Sequence, residues 1–221
     1  GLRAYMLKVY NLMALALVIT GVAAFATYSF AASNPAFQQL LYASPLRWVI
    51  MLAPLALVFF LSFRIQNMSV SAAQTTFWVY AALMGVSLSS IFIVFTGQSI
   101  VQTFFVTAAS FGALSLYGYT TKKNLSGLGS FLIMGLFGLI IASIVNIFLA
   151  SSALHFAISA TGVLIFAGQT AYDTQKIKEM YFDGDDVAVA GRKAIMGALT
   201  LYLDFINLFT FLLQFLGNRD D

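Results

Sequence analysis

Cysteine is absent from this 221-residue chain, and His155 is its one histidine. Without thiols there is no disulfide, no Cys-based metal site and no thiol nucleophile, and a single histidine excludes most zinc constellations. Charge is scarce as well: 9% of residues are Asp, Glu, Lys or Arg, against about 25% in a soluble domain. A water-soluble surface cannot be built from so few. The formal charge of +3 would suit a nucleic-acid binder only if the basic residues shared one water-facing surface, and here they sit between apolar runs. Catalytic motifs are missing too. No Gly-rich phosphate loop follows a strand, no His-Glu-x-x-His occurs, and no Ser, His and Asp are brought together by position. We therefore expect no enzyme, no resident cofactor and no nucleic-acid partner.

What is plentiful is apolar: 61% of residues are hydrophobic, including 22 Phe and 10 Tyr, rings that suit helix interfaces and the headgroup level of a bilayer. A span needs roughly 20 mostly apolar residues to cross about 30 Å of hydrocarbon. Such runs place spans at 8–31, 46–63, 76–96, 100–119, 129–150, 154–175 and 195–216. Barrel strands would instead alternate over segments of about ten residues. The expected fold is an all-α membrane protein of seven transmembrane helices forming one domain in a lipid bilayer. Leu12 to Phe30, followed by Ala31, Ala32 and Ser33, imitates a signal peptide but exceeds the usual apolar core of roughly 7–15 residues. It reads as a span. Gly1 in place of an initiator Met is expected to reflect a trimmed N-terminal tail. Small residues at helical spacing, Gly135, Gly138 and Ala142 or Ala109, Gly112 and Ala113, are expected to let helices pack closely.

Orientation follows from the Lys and Arg residues near span ends. One side receives Arg3, Lys8, Arg64, Lys122, Lys123, Lys176, Lys178, Arg192 and Lys193, and the other Arg47 and Arg219. Nine against two predicts a cytoplasmic N-terminus and an external C-terminus. The loop between Lys176 and Lys193 then faces the cytoplasm. Its Asp183-Gly-Asp-Asp186 stretch lacks the spacing and closing Glu of an EF-hand and reads as a solvated turn. The glycosylation patterns at Asn67 and Asn124 fall on the same side and are discarded.

Asp204 lies about ten residues into the last apolar run. A carboxylate at that depth costs on the order of 2.5–3.5 kcal/mol and usually has a partner. Thr200, Asn207 and Gln214 continue its stripe, and span 6 carries a matching one: Ser159, Gly162, Phe166, Gln169 and Asp173, with Lys176 a turn further on. The two aspartates could therefore meet, share a proton and act as a pH-sensitive latch. Together they could hold a hard cation such as calcium weakly, since a full shell takes six to eight oxygens. Against this, apolar runs place Asp204 about 10 Å deeper than Asp173. The bland readings are a helix-packing hydrogen bond for Asp204, a surface pair with Lys176 or Lys178 for Asp173, plain anchoring for Arg64, and an interfacial position for His155. Intramembrane proteolysis also needs two aspartates, but the Leu201-Tyr-Leu preceding Asp204 lacks the Gly-x-Gly context of such enzymes.

Gly85-Val-Ser-Leu-Ser-Ser-Ile-Phe-Ile-Val-Phe95, Phe111-Gly-Ala-Leu-Ser-Leu-Tyr-Gly-Tyr-Thr-Thr-Lys122, Thr170-Ala-Tyr-Asp-Thr-Gln-Lys176 and Gly197-Ala-Leu-Thr-Leu-Tyr-Leu-Asp-Phe-Ile-Asn-Leu-Phe209 together resemble the Bax inhibitor motif family, in particular its bacterial inner-membrane members. The resemblance covers nearly the whole chain. It implies a last helix central among the other six, and a calcium leak gated by pH through an aspartate pair matching Asp173 and Asp204. Arg64 is the matching candidate for a latch on that pair, with Gln169 and Asn207 candidates for lining the path. Calcium is then the transported ion and not a cofactor. The alternative it leaves open is a non-conducting regulator of stress response or of a membrane quality-control protease. The physiological ion, the partner proteins and the oligomeric state are not fixed by the sequence.

Overall fold

The computed structural model describes residues 1–219. Among them the helices run in the order α1 (Leu2–Ser33), α2 (Pro35–Tyr42), α3 (Leu46–Arg64), α4 (Val70–Leu88), α5 (Ile91–Val94), α6 (Gly97–Thr120), α7 (Ser126–Leu149), α8 (Ser152–Glu179) and α9 (Val187–Leu216). Several start on a residue whose side-chain oxygen takes one of the first free backbone N–H groups. Asn34 accepts from Phe37, Ser69 from Ala72, Thr96 from Ser99 and Ser151 from Leu154. At the tight α7–α8 reversal Ala150 takes a left-handed conformation (φ 49°), and the Asn146 side chain accepts from the Ser151 N–H at 2.9 Å.

Seven segments are long and apolar enough to cross a membrane: Leu2–Ser33, Leu46–Asn67, Val70–Val94, Gly97–Thr120, Ser126–Leu149, Ser152–Glu179 and Val187–Leu216. Each expected span falls on one of these segments, and most reach further, although the third stops at Val94, short of 96, and the fifth at Leu149, short of 150. α1 begins at Leu2 and not at 8, α8 continues to Glu179 and not 175, and α9 begins at Val187 and not 195. An apolar run marks only the hydrocarbon crossing, whereas a helix satisfies its own backbone and continues into polar surroundings. The third span breaks at Ser89 and Ser90 into α4 and α5, and α2 adds a short helix between the first two spans.

The described chain forms two compact units, residues 1–94 with 181–202, and residues 95–180 with 203–219. In the first, α1 crosses α4 where Gly85 lies against the Thr20 carbonyl and the Ala23 Cβ, leaving no room for a side chain. Thr20 Oγ1 donates to the Ala81 carbonyl at 2.8 Å and accepts from the Tyr202 hydroxyl at 2.5 Å. The Tyr202 ring meets Phe77 and Tyr80 edge-on, with centroids 5.9 and 5.7 Å apart. This holds the first half of α9 to α1 and α4. Thr20→Val keeps the shape but leaves the buried Tyr202 hydroxyl without its acceptor. It is expected to cost about 1 kcal/mol, read as a lower midpoint of thermal unfolding in detergent.

In the second unit α8 lies between α6 and α7. On one side Gly118 of α6 rests on the Ala171 backbone carbonyl, and Ser115 Oγ meets Thr174 Oγ1 at 2.8 Å. On the other, Leu132 and Leu139 of α7 pack with Ile158 and Ile165, and Gly129 sits on the Tyr172 ring. The second half of α9 brings Phe205 against Phe104 and Phe111, at 5.5 and 5.4 Å. Of the small residues singled out in the sequence, Gly135 meets the Ile165 side chain, but a methyl group added at Gly112 or Gly138 would have nothing within 4 Å. Those two do not serve close packing within the described chain.

α9 is the most enclosed span. In its most apolar stretch 67% of residues are buried, against 11–33% for the other six. Each unit packs against its own half of it.

Candidate functional site

α8 and the second half of α9 run antiparallel in a fixed register. Phe166 stacks on Phe211 at 5.7 Å, and Gly162 faces the same Phe211 ring at a distance no side chain could share. Seven residues along α8 from Phe166 is Asp173, and seven residues back along α9 from Phe211 is Asp204. Two helical turns from the aromatic contact, the carboxyl groups of Asp173 and Asp204 face each other within hydrogen-bonding reach. The depth conflict is removed by α8, which continues six residues past Asp173 to Glu179, about 9 Å of helix.

The pair is asymmetric. Asp204 is 5% exposed, and its Oδ2 has no hydrogen-bond partner among the described residues. Asp173 is half-buried, with Lys176 the nearby cation and the Lys176 ammonium itself 5.8 Å from the Tyr172 ring centre. Two carboxylates are acceptors only, so a bond between them requires that one carry a proton. A proton shared there would join the two groups, and Asp204 Oδ2 leaves a spare acceptor on the buried side. The Tyr202 hydroxyl, two residues before Asp204 in α9, is given to Thr20.

Around the pair α8 is held firmly. Thr170 and Thr174 return their hydroxyls to the Phe166 and Thr170 carbonyls, at 2.8 and 2.7 Å. Gln175 Nε2 donates to the Lys123 carbonyl at 2.7 Å while its Oε1 accepts from the Leu125 N–H at 2.8 Å, and Lys178 donates to the Tyr119 carbonyl. Sequence reasoning missed Gln175 and the Ser115–Thr174 bond. A signal existed for the first, a buried amide in a helix turn otherwise ending in lysines.

The other candidate residues are placed as follows. Gln169 is one turn from Asp173, and Asn207 lies three residues past Asp204; in this register both lie toward the same end of the unit, and both are half-exposed. Along α9 the half-exposed residues Leu203, Asn207, Thr210 and Gln214 fall on one face, with Asp204 at its buried edge. Arg64 ends α3 in the first unit with an exposed side chain. Among the described residues no cluster of three or more His, Cys, Asp or Glu surrounds the pair, so two carboxylates are the acidic oxygen set available to a cation there.

The profile described as "Inhibitor of apoptosis-promoting Bax1" matches residues 2–221. This chain belongs to the Bax inhibitor family. Among its relatives, an uncharacterized protein of Rickettsia prowazekii is 53% identical over all of the chain and 92% of its own length. The inner membrane protein YbhL of Escherichia coli is 48% identical over 99% of the chain and 93% of its own length. An uncharacterized protein of Deinococcus radiodurans is 41% identical over 99% and 92% respectively. Membership is shared across the full set of spans, so the aspartate pair lies within the matched region.

Proposed function

We propose that this multi-pass membrane protein is a pH-sensitive calcium leak, non-enzymatic and without a resident cofactor, whose gate is the Asp173–Asp204 pair. The approach of the two carboxyl groups to each other, beside a buried, unpartnered oxygen, carries this reading. While one proton is shared, α8 and α9 are tied at this level. Loss of the proton replaces the bond by two like charges in a low-dielectric interior, and the helices adjust. The polar, half-exposed face of α9 through Asn207 and Gln214 offers oxygen and amide groups along the same helix. Two carboxylates suit a hard cation, and a partial shell favours passage over storage. Lys176, one turn from Asp173, is the charged neighbour that modulates the pair, and Arg64 is proposed as a latch on it. Likeness to an inner membrane protein and the Lys/Arg bias support an inner-membrane location with a cytoplasmic N-terminus and a periplasmic C-terminus.

The test is calcium entry into liposomes that contain a trapped calcium dye. Vesicles carrying the protein are expected to fill faster than protein-free vesicles, at a rate that changes with pH. Equal rates with and without protein would overturn the leak.

A second reading is a non-conducting regulator that engages another membrane protein. It is favoured by α7, whose apolar stretch is only 11% buried and presents Phe131, Met134, Phe137 and Ile141 outward. It predicts no protein-dependent flux in pure lipid and one specific partner recovered by crosslinking in native membranes.

A further inference from the structure

A second polar feature lies far along the chain from the aspartate pair, entirely within the first unit. Where α2 hands over to α3, a cleft of about 270 Å³ opens between α3 and the α4–α5 segment. Its walls are apolar, formed by Ile50, Met51, Val86, Ile93 and Val94. Arg47, in the first turn of α3, and the Ser90 hydroxyl stand on its lining. Tyr42 also lines the cleft, and the Arg47 guanidinium lies 5.1 Å from the Trp48 ring centre. Tyr42 donates to Ser89 Oγ at 2.7 Å, since Ser89 itself donates to the Val86 carbonyl, and this ties α2 to the α4–α5 turn. An arginine on a tryptophan at the end of a span marks headgroup level.

Arg47 meets no carboxylate among the described residues of its unit, and the reason lies in the sequence. No Asp or Glu precedes Asp173 anywhere in the chain. The described carboxylates of this unit are Asp183, Asp185 and Asp186, and each is engaged elsewhere: Asp183 by the Tyr181 hydroxyl, Asp185 by Lys193, and Asp186 by the Val189 N–H. The guanidinium is a planar donor fork suited to a phosphodiester.

Beside this cleft, sharing Tyr42 and Ile93 with it, is a second cavity of about 320 Å³ lined also by Tyr28, Gln38 and Phe92. It offers neutral hydroxyl and amide groups and no carboxylate. That lining suits hydroxyls better than an ammonium group.

We propose that the two cavities form a headgroup site for an anionic phospholipid of the phosphatidylglycerol type. Arg47 takes the phosphodiester, the apolar walls beyond it take the upper acyl chain, and Gln38 with the tyrosines takes the glycerol hydroxyls. One cation facing one phosphodiester makes the occupied site neutral. A zwitterionic lipid would leave its ammonium without an acidic partner.

The experiment is native mass spectrometry of the full chain released from bilayers containing phosphatidylglycerol, phosphatidylethanolamine and phosphatidylcholine. The wild type is expected to retain phosphatidylglycerol in preference to the other two. Arg47→Gln should lower that retention about fivefold or more, the effect of one basic residue at an anionic surface being roughly 1 kcal/mol. Ser90→Trp, which fills the cleft from an exposed position and keeps the charge, should lower it as well. Arg219→Gln removes a different arginine and should leave it unchanged. Excess inorganic phosphate should not displace the lipid. The proposal is overturned if Arg47→Gln retains the lipid like the wild type, if Arg219→Gln loses as much, or if Ser90→Trp changes nothing. It is equally overturned if phosphatidylethanolamine is retained as well as phosphatidylglycerol, or if phosphate alone empties the site.

Discussion

Asp204→Asn, reconstituted in liposomes, is expected to pass calcium at a rate whose dependence on pH is much flatter than in the wild type. The Asn side chain can donate to the Asp173 carboxylate as the protonated carboxyl does in the wild type, but it has no proton to lose. The size of the change follows from counting protons. A gate linked to one shared proton shifts its open-to-closed ratio by at most about tenfold per pH unit, the slope of 2.303RT per proton. In Asp204→Asn the shared proton is gone and that slope flattens, whichever state the proton favours in the wild type, with the lone Asp173 carboxyl the residual titrating group. Asp173→Asn should behave alike, because the bond between the two groups is what titrates. A variant that keeps the wild-type pH profile would show that the sensor lies elsewhere.

Gly118→Val should be the most damaging single change in the second unit. A side chain at Gly118 would overlap the backbone carbonyl of Ala171, and a backbone cannot move aside as a side-chain tip can. The crossing of α6 and α8 must widen, the Ser115–Thr174 bond must stretch, and Asp173, two residues from Ala171, must shift against Asp204. Overpacking of this kind costs about 3 kcal/mol at the upper end of its usual range. Unfolding in detergent should show a large loss for Gly118→Val and a smaller one for Gly118→Ala. Gly112→Ala, in the same helix at an open position, is the control and should be neutral or slightly stabilising. Equal stability of the variants at 118 and 112 would mean that this crossing does not hold the unit.

The contrast between those two glycines explains much of what a reader of the sequence can and cannot see. The seven spans are legible because hydrocarbon demands long apolar runs, and Asp204 stands out because a carboxylate does not belong in one. The helix ends are not legible that way, since hydropathy stops where the lipid stops and α8 does not. The six further residues after Asp173 are what make contact with Asp204 geometrically sensible, and no hydropathy run contains them. α2 left a local signature, Asn34 as cap and Pro35 in the first turn, which a search for spans passes over. Gly118, Gly85 and Gly162 look no different in sequence from Gly112 and Gly138. Which glycine meets a neighbouring helix depends on helix rotation, and rotation is set by the partner.

α7 packs chiefly on α8, through Leu132, Leu139 and the seat of Gly129 on Tyr172. A span with so little protein around it takes its tilt from the thickness of the surrounding bilayer. Tyr172 is the residue next to Asp173. A change in membrane thickness therefore bears on the carboxyl pair through the α7–α8 packing, most directly at the Tyr172 ring, and lipid composition becomes a variable to hold fixed whenever its protonation is measured.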